Sequence, residues 1–208
     1  MPLTSVRLLF ASRSAGKQRE VKRVLEAAGH EVVFPDDVGV WESEAEDGLE
    51  LGESFEANAR SKAEYFIRKC GVPTLADDSG LEVLNLGGAP GVRSKRWAGA
   101  TGTAAEVDAA NNAELLRRLL GAPATKRSAR YRCVMVFLST PTAVPVVVSG
   151  ETAGRILEAP EGTNGFGYDP LFWSAELGKS FGVATAEEKD GVSHRGRALA
   201  KLVEALKS

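Results

Sequence analysis

The chain has 208 residues, 43% of them hydrophobic and 26% charged, with a formal net charge of −2. That length suits one sizeable α/β domain, or one domain with two lobes around a cleft. The charge balance excludes a protein that coats nucleic acid, because phosphate-backbone affinity needs clustered Lys and Arg, and the longest apolar runs are strand-sized, far short of a membrane span.

Ser5 to Ala11 reads as a first buried strand, and its apolar core is too short for a signal-peptide segment. Ser12 to Lys17 follows as a loop. From Lys17 the pattern turns helical, with Val21, Val24, Leu25 and Ala28 on one face and Gly29 closing it. A strand, a small polar loop and a helix N-terminus make a place for an anion, since free backbone N–H groups and the helix dipole point at the loop. Arg13 and Lys17 add charge. The same residues also suit a plain strand–helix connection. They are not a P-loop, which needs a Gly where Ala11 stands and a hydroxyl where Gln18 stands. Glu31 to Phe34 is a second strand. The acidic stretch Trp41 to Glu53 reads as solvated loop charge, from which one carboxylate could complete a metal site. Ser54 caps a helix to Lys69 with the stripe Phe55, Ala59, Ala63, Phe66 and Ile67.

Pro73 to Ala76 reads as the end of a buried strand that delivers Asp77, Asp78 and Ser79 to its tip, where Gly80 turns the chain. Paired carboxylates there suit Mg²⁺, which takes oxygen ligands from one or two carboxylates and substrate phosphates. A turn capped by Asp and Ser reads the same way. Gly87 to Val92 is a structured loop running into Arg93, Lys95, Arg96 and Trp97. Ala104 to Leu120 is a helix that buries Val107, Leu115, Leu116 and Leu119. Ala129 to Leu138 and Ala143 to Thr152 read as an antiparallel hairpin around Thr140-Pro141-Thr142, and Gly154 to Leu157 as a further strand. Alternating β and α, then a meander, predicts an α/β fold: a mixed β-sheet with flanking helices.

Glu161 to Phe172 carries three glycines, the aromatics Phe166 and Tyr168, and Asp169 held extended by Pro170. It reads either as a ligand loop that stacks a base or as an Ω-loop with its aromatics in the core. Ser193 caps the last helix, whose stripe is Leu199, Leu202, Val203 and Leu206. His194 and Arg195 then sit in its first turn, where a cation opposes the dipole, so Arg195 points to a role outside helix stability. A single His there is more often structural than functional. With only Cys70 and Cys133, the chain has no disulfide framework and no structural zinc site; a reducing cytosol is expected.

Taken in order, six stretches resemble the inosine triphosphate pyrophosphatase family, the non-canonical purine nucleoside triphosphate pyrophosphatases. They are Ala15-Gly16-Lys17 with Glu20, Phe55 to Ala59 with Lys62-Ala63, Ala76 to Leu81, Gly87 to Val92, Gly165 to Pro170, and Glu188-Lys189 with Ser193 to Gly196. They span almost the whole chain. The resemblance implies an elongated two-lobed domain over residues 1–208, a homodimer, a Mg²⁺ requirement and the reaction NTP + water → NMP + pyrophosphate. Carried over by position, it implies Asp78 as general base and metal ligand, with Ser79 contacting substrate. It implies that Ser12, Arg13, Ser14, Ala15, Gly16 and Lys17 hold phosphates. Phe166, Gly167, Tyr168, Asp169, Lys189, His194 and Arg195 would surround the base.

Two positions depart from the family pattern. Its first loop usually reads Thr-Gly-Asn, where this chain has Ser12-Arg13-Ser14. Its metal-serving Glu corresponds to Glu50, or with a different gap to Glu46. The expected substrates are ITP, dITP and XTP, with Arg195 and His194 donating to the 6-oxo group that adenine lacks. No nucleic-acid or membrane partner is expected. A pyrophosphatase for other modified bases and a non-catalytic nucleotide sensor are the competing readings.

Overall fold

Residues 5–207 are described in the computed structural model. β1 (Arg7–Phe10) leads through α1 (Ala15–Ala27) to β2 (Glu31–Val33), and the two strands pair in parallel, Leu8 opposite Val32. After α2 (Phe55–Cys70) the chain returns as β3 (Thr74–Val83), parallel to β1 with Leu9 opposite Thr74. α3 (Ala104–Arg118) precedes the long strands β4 (Ser128–Leu138) and β5 (Val146–Ile156). β6 (Phe172–Ser174) and β7 (Lys179–Ser180) add antiparallel edges, and α4 (Ala186–Val192) and α5 (His194–Ala205) close the chain. The result is one seven-stranded mixed sheet in the order β2-β1-β3-β4-β5-β6-β7.

The chain forms two compact units. The first comprises the chain up to Asp78, Cys133–Gly150 and the chain from Arg195; the second comprises Ser79–Arg132 and Glu151–His194. In the first unit the period-2 alternation of strands sorts side chains onto two faces. Leu8, Phe10, Val32, Leu75, Cys133, Met135 and Phe137 pack against Val21 and Leu25 of α1 and Leu199 and Leu202 of α5. Leu9, Ala11, Val33, Ala76, Val136 and Leu138 pack instead against Ala59, Ala63, Phe66 and Ile67 of α2. Each fully buried Leu or Phe contributes about 1.5–3 kcal/mol of burial free energy. The second unit buries Leu81, Val83, Tyr131 and Ile156 with Leu115 and Leu119 of α3 and with Tyr168, Phe172 and Phe181.

Three boundaries differ from the sequence reading. β3 does not stop at the double Asp: it runs on through Gly80 to Val83, so the carboxylates lie mid-strand. Leu81 and Val83 are fully buried and extend the strand, and helices rather than solvent satisfy the acids. Gly154 belongs to β5 and does not begin a separate strand; β5 starts only after Pro145, which has no N–H for the ladder. α1 begins at Ala15, two residues early, because Ser14 caps it: its side chain accepts from the Lys17 N–H. The helix α4 was not read from the sequence; Thr185 opens it with a capping box to Glu188.

Candidate active site

Alternation along β3 sends the two neighbouring acids in opposite directions. Asp77 falls on the face of Leu75, toward α1 and α5, and Asp78 on the face of Ala76, toward α2. Asp77 is completely buried. Its Oδ1 accepts from Lys17 Nζ at 3.1 Å, and its Oδ2 accepts from Arg195 Nε at 3.3 Å and Nη2 at 3.1 Å. Arg195 also donates through Nη1 to Glu20 at 2.5 Å. Asp78 accepts from the Asn58 amide at 2.7 Å. Lys62, one turn further along α2, donates to Glu50 at 2.5 Å and to the Asp77 carbonyl at 2.5 Å.

These surroundings pull the two acids apart. Burial raises the carboxyl pKa of Asp77, but the charges of Lys17, Arg195 and Lys62 outweigh it and hold the group well below the usual carboxylate range. Burial also raises Asp78, and there Lys62, Lys17 and the Asn58 hydrogen bond do not fully offset it, so its pKa stays above the ordinary value. Asp77 is a locked anion. Asp78 is an acid whose negative charge the protein only partly compensates. A carboxylate in that condition suits proton transfer or an added cation.

Among the described residues no three His, Cys, Asp or Glu gather into an all-protein metal cage. Mg²⁺ needs none, since it keeps waters and takes one or two carboxylates with substrate oxygens. Asp78 and Glu50 form a donor set of that kind. Lys62 lies among these acids: burial lowers the pKa of its ammonium, and the charges of Glu50, then Asp77, then Asp78 raise it more. The residues present fit a hard divalent ion. Glu50 and Glu46 have different partners and exposure. Glu46 is gripped by Arg13, Nε at 3.1 Å and Nη2 at 2.7 Å, whereas Glu50 is one-third exposed.

The β1–α1 loop sets two serines and a lysine at the N-terminus of α1. Ser12 Oγ accepts from the Ser14 N–H at 3.2 Å, and a hydroxyl that accepts one bond can donate another. Gly16 is buried in the first turn of α1, Ala15 is exposed beside it, and Lys17 points at Asp77. The Arg13 guanidinium is held by Glu46, Asp36 and the Val40 carbonyl, so acids already match its charge. Arg195 likewise donates to Asp77 and Glu20.

The other predicted binding residues gather in the second unit. Lys189 is buried and donates to Asp169 Oδ2 at 2.5 Å, with its ammonium 4.9 Å from the centre of the Phe166 ring. Asp169 also accepts from the Phe166 N–H at 2.9 Å. The Gly167 peptide is clamped at both ends: its N–H donates to Asp108 at 2.7 Å and its carbonyl accepts from Asn112 at 2.9 Å. Tyr168 is buried with its hydroxyl on the Ser94 carbonyl at 2.8 Å, and burial raises its pKa far above the usual phenol value. His194 stacks on Tyr131 at 4.6 Å with the rings nearly parallel. Ser79 is partly exposed, directly after Asp78.

Sequence reasoning assigned no role to Asn58, Lys62 or Glu20, nor to Asp108 and Asn112. For the first two the signal was available. Asn58 and Lys62 fall at i+3 and i+7 from Phe55, on the buried stripe of α2, and polar residues at core positions are exceptions that need partners.

A sequence profile of the Ham1 family matches residues 8–205. A protein from Syntrophobacter fumaroxidans named dITP/XTP pyrophosphatase is 46% identical over 195 residues, covering 94% of this chain and 79% of its own. The solved structure of a HAM1 protein from Coxiella burnetii superposes with a TM-score of 0.82 at 33% identity, covering 97% of this chain and 98% of that one. The crystal structure of a nucleoside-triphosphatase, dITP/XTP pyrophosphatase, from Mycobacterium abscessus gives a TM-score of 0.71 at 44% identity, covering 95% and 98%.

Proposed function

Because this chain belongs to the Ham1 family, we propose that it hydrolyses non-canonical purine nucleoside triphosphates, dITP, XTP and ITP, to the monophosphate and pyrophosphate. The observation that carries the chemistry is the opposite treatment of Asp77 and Asp78. Asp78 accepts the proton of the attacking water. The Asn58 amide, 2.7 Å away, holds the carboxylate in place to receive it. Asp77 stays ionised and fixes Lys17 and Arg195 in place. Lys17, at the N-terminus of α1, faces the charge of the triphosphate with the helix N–H groups behind it. Mg²⁺ held by Asp78 and Glu50 would neutralise phosphate oxygens and ease departure of pyrophosphate.

The base-recognising residues are those of the second unit: Phe166, Tyr168, Asp169, Lys189 and His194. Lys189 and His194 donate, which matches a 6-oxo group. An adenine amino group would set donor against donor, at about 1–3 kcal/mol for each buried group left unpaired. The enzyme works as a homodimer in the cytoplasm, on a free nucleotide and not on nucleic acid or a membrane. The test is pyrophosphate release from dITP, XTP, ITP, ATP, GTP and dTTP, with Mg²⁺ and with EDTA. Metal-dependent release confined to the first three supports the reading. Release from ATP at an equal rate removes the donor argument, and dTTP as the best substrate favours a pyrophosphatase for other bases. No release from any substrate favours a sensor.

A further inference from the structure

Arg13 is the residue the proposed chemistry leaves unused, and it is the most heavily bonded side chain of the β1–α1 loop. Its three guanidinium nitrogens reach three separate places. Nη1 donates to Asp36 at 2.6 Å, in the turn after β2. Nη2 donates to the Val40 carbonyl at 2.8 Å and, with Nε, to both oxygens of Glu46. The guanidinium lies 5.7 Å from the centre of the Phe66 ring on α2. Asp36 is well exposed, but Arg13 and Glu46 retain only 20% and 13% side-chain exposure, so this is a sheltered bidentate pair and not a solvated surface contact.

Glu46 and Glu50 share the acidic segment Trp41–Glu53, which has no helix or strand of its own beyond one 3₁₀ turn at Glu44–Glu46. Trp41 and Leu51 near its ends are 69% and 74% exposed. Leu49 packs against the cluster of α2, and polar side-chain fastenings hold the segment on either side of it. On one side Lys62 donates to Glu50 and the Gly52 N–H donates to Asn58 Oδ1 at 2.8 Å; on the other Arg13 donates to Glu46. Between the two charged fastenings lie three residues, and the Leu49 N–H closes back on the Glu46 carbonyl at 3.0 Å.

We propose that Arg13 is a positioning residue that ties the acidic segment to the β1–α1 loop and so presents Glu50 to the metal site. This rests on the reading of Glu50 and Asp78 as the Mg²⁺ donors. The Arg13 side chain is taken up by Glu46, Asp36 and the Val40 carbonyl, which leaves Ser12, Ser14 and Lys17 as the polar groups of the loop.

The experiment compares wild type with Arg13→Ala, Arg13→Lys, Glu46→Gln and the double variant. Amide hydrogen exchange of residues 41–53 is read on the metal-free protein, together with Mn²⁺ binding without substrate and the Mg²⁺ activation constant for ITP turnover. Arg13→Ala is expected to speed exchange in 41–53 about tenfold or more, the scale of a lost charge-assisted pair. It should weaken Mn²⁺ binding and Mg²⁺ activation several-fold, with a smaller loss of kcat at saturating Mg²⁺. Glu46→Gln should reproduce both effects, the double variant should be no worse than either single, and Arg13→Lys should recover part. Unchanged exchange in 41–53, unchanged metal affinity, or additive losses in the double variant would overturn the proposal. A wild type that turns over no nucleotide would count against the proposed function, while the exchange and Mn²⁺ data would still decide the role of Arg13.

Discussion

Replacing each of the two adjacent acids by its amide should have opposite consequences for the fold. Asp77 is completely buried and meets Lys17 and Arg195 within 3.3 Å. Asp77→Asn leaves those cations facing a neutral amide, with Arg195 still paired to Glu20. Breaking a buried ion pair by removing one partner costs about 3–5 kcal/mol. For a chain of this length that is a fall in Tm of roughly 6–20 °C. Asp78 is raised by burial, not lowered, so its ionised form costs the folded state stability at pH 7. Asp78→Asn keeps the shape, removes the charge, and should leave Tm equal to or above wild type while turnover is lost. The signs differ with pH as well. The contribution of Asp77 is fully present above its unfolded pKa, about 4, and is lost as pH falls below that toward its depressed folded value. The cost of ionising Asp78 disappears as the pH falls below its unfolded pKa. Thermal unfolding in EDTA at pH 7, followed by circular dichroism, reads both variants. An equal fall in Tm for the two amides, or an unaffected Asp77→Asn, would refute the assignment of one locked and one under-compensated acid.

Lys62→Met removes the cation from Glu50 and the donor from the Asp77 carbonyl. It should reduce kcat roughly a hundredfold, the scale of deleting one preorganised charge-stabilising donor, and steady-state kinetics of ITP hydrolysis check it. Asp108→Asn combined with Asn112→Ala frees both ends of the Gly167 peptide, and should raise KM for ITP well beyond its effect on kcat. Gly165→Ala places a methyl 2.0 Å from Asp169 Oδ2 at a backbone φ of +76°. It should displace Asp169 from Lys189 and weaken nucleotide binding by isothermal titration, whereas Gly167→Ala, where a methyl meets nothing within 4 Å, should suffer only the backbone strain of its positive φ.

The sequence showed the helices and the long strands because their burial repeats with the period of the element. The stripe of α2 is an example: Phe55, Ala59, Ala63, Phe66 and Ile67 are all buried. It also marked Arg195 correctly as a cation in the wrong place for helix stability, and the partners that justify it, Asp77 and Glu20, lie 118 and 175 residues away. No local pattern carries that information. The continuation of β3 through the acids was hidden for a related reason. Two carboxylates and a Gly look like the end of a strand unless the cations that bury them are known, and those cations come from α1, α2 and α5. Arg13 shows the converse. A cation in a polar loop beside a helix N-terminus reads as a phosphate ligand, and only the position of Glu46 and Asp36 shows its charge already matched.

The most direct test is product analysis with ITP and Mg²⁺ for wild type and Asp78→Asn, by phosphorus NMR in ¹⁸O-labelled water. Wild type should yield only the monophosphate and pyrophosphate in equal amounts, with the label in the monophosphate, and Asp78→Asn should yield neither while retaining its fold. Release of orthophosphate and diphosphate nucleoside, or near-wild-type turnover by Asp78→Asn, would contradict the account.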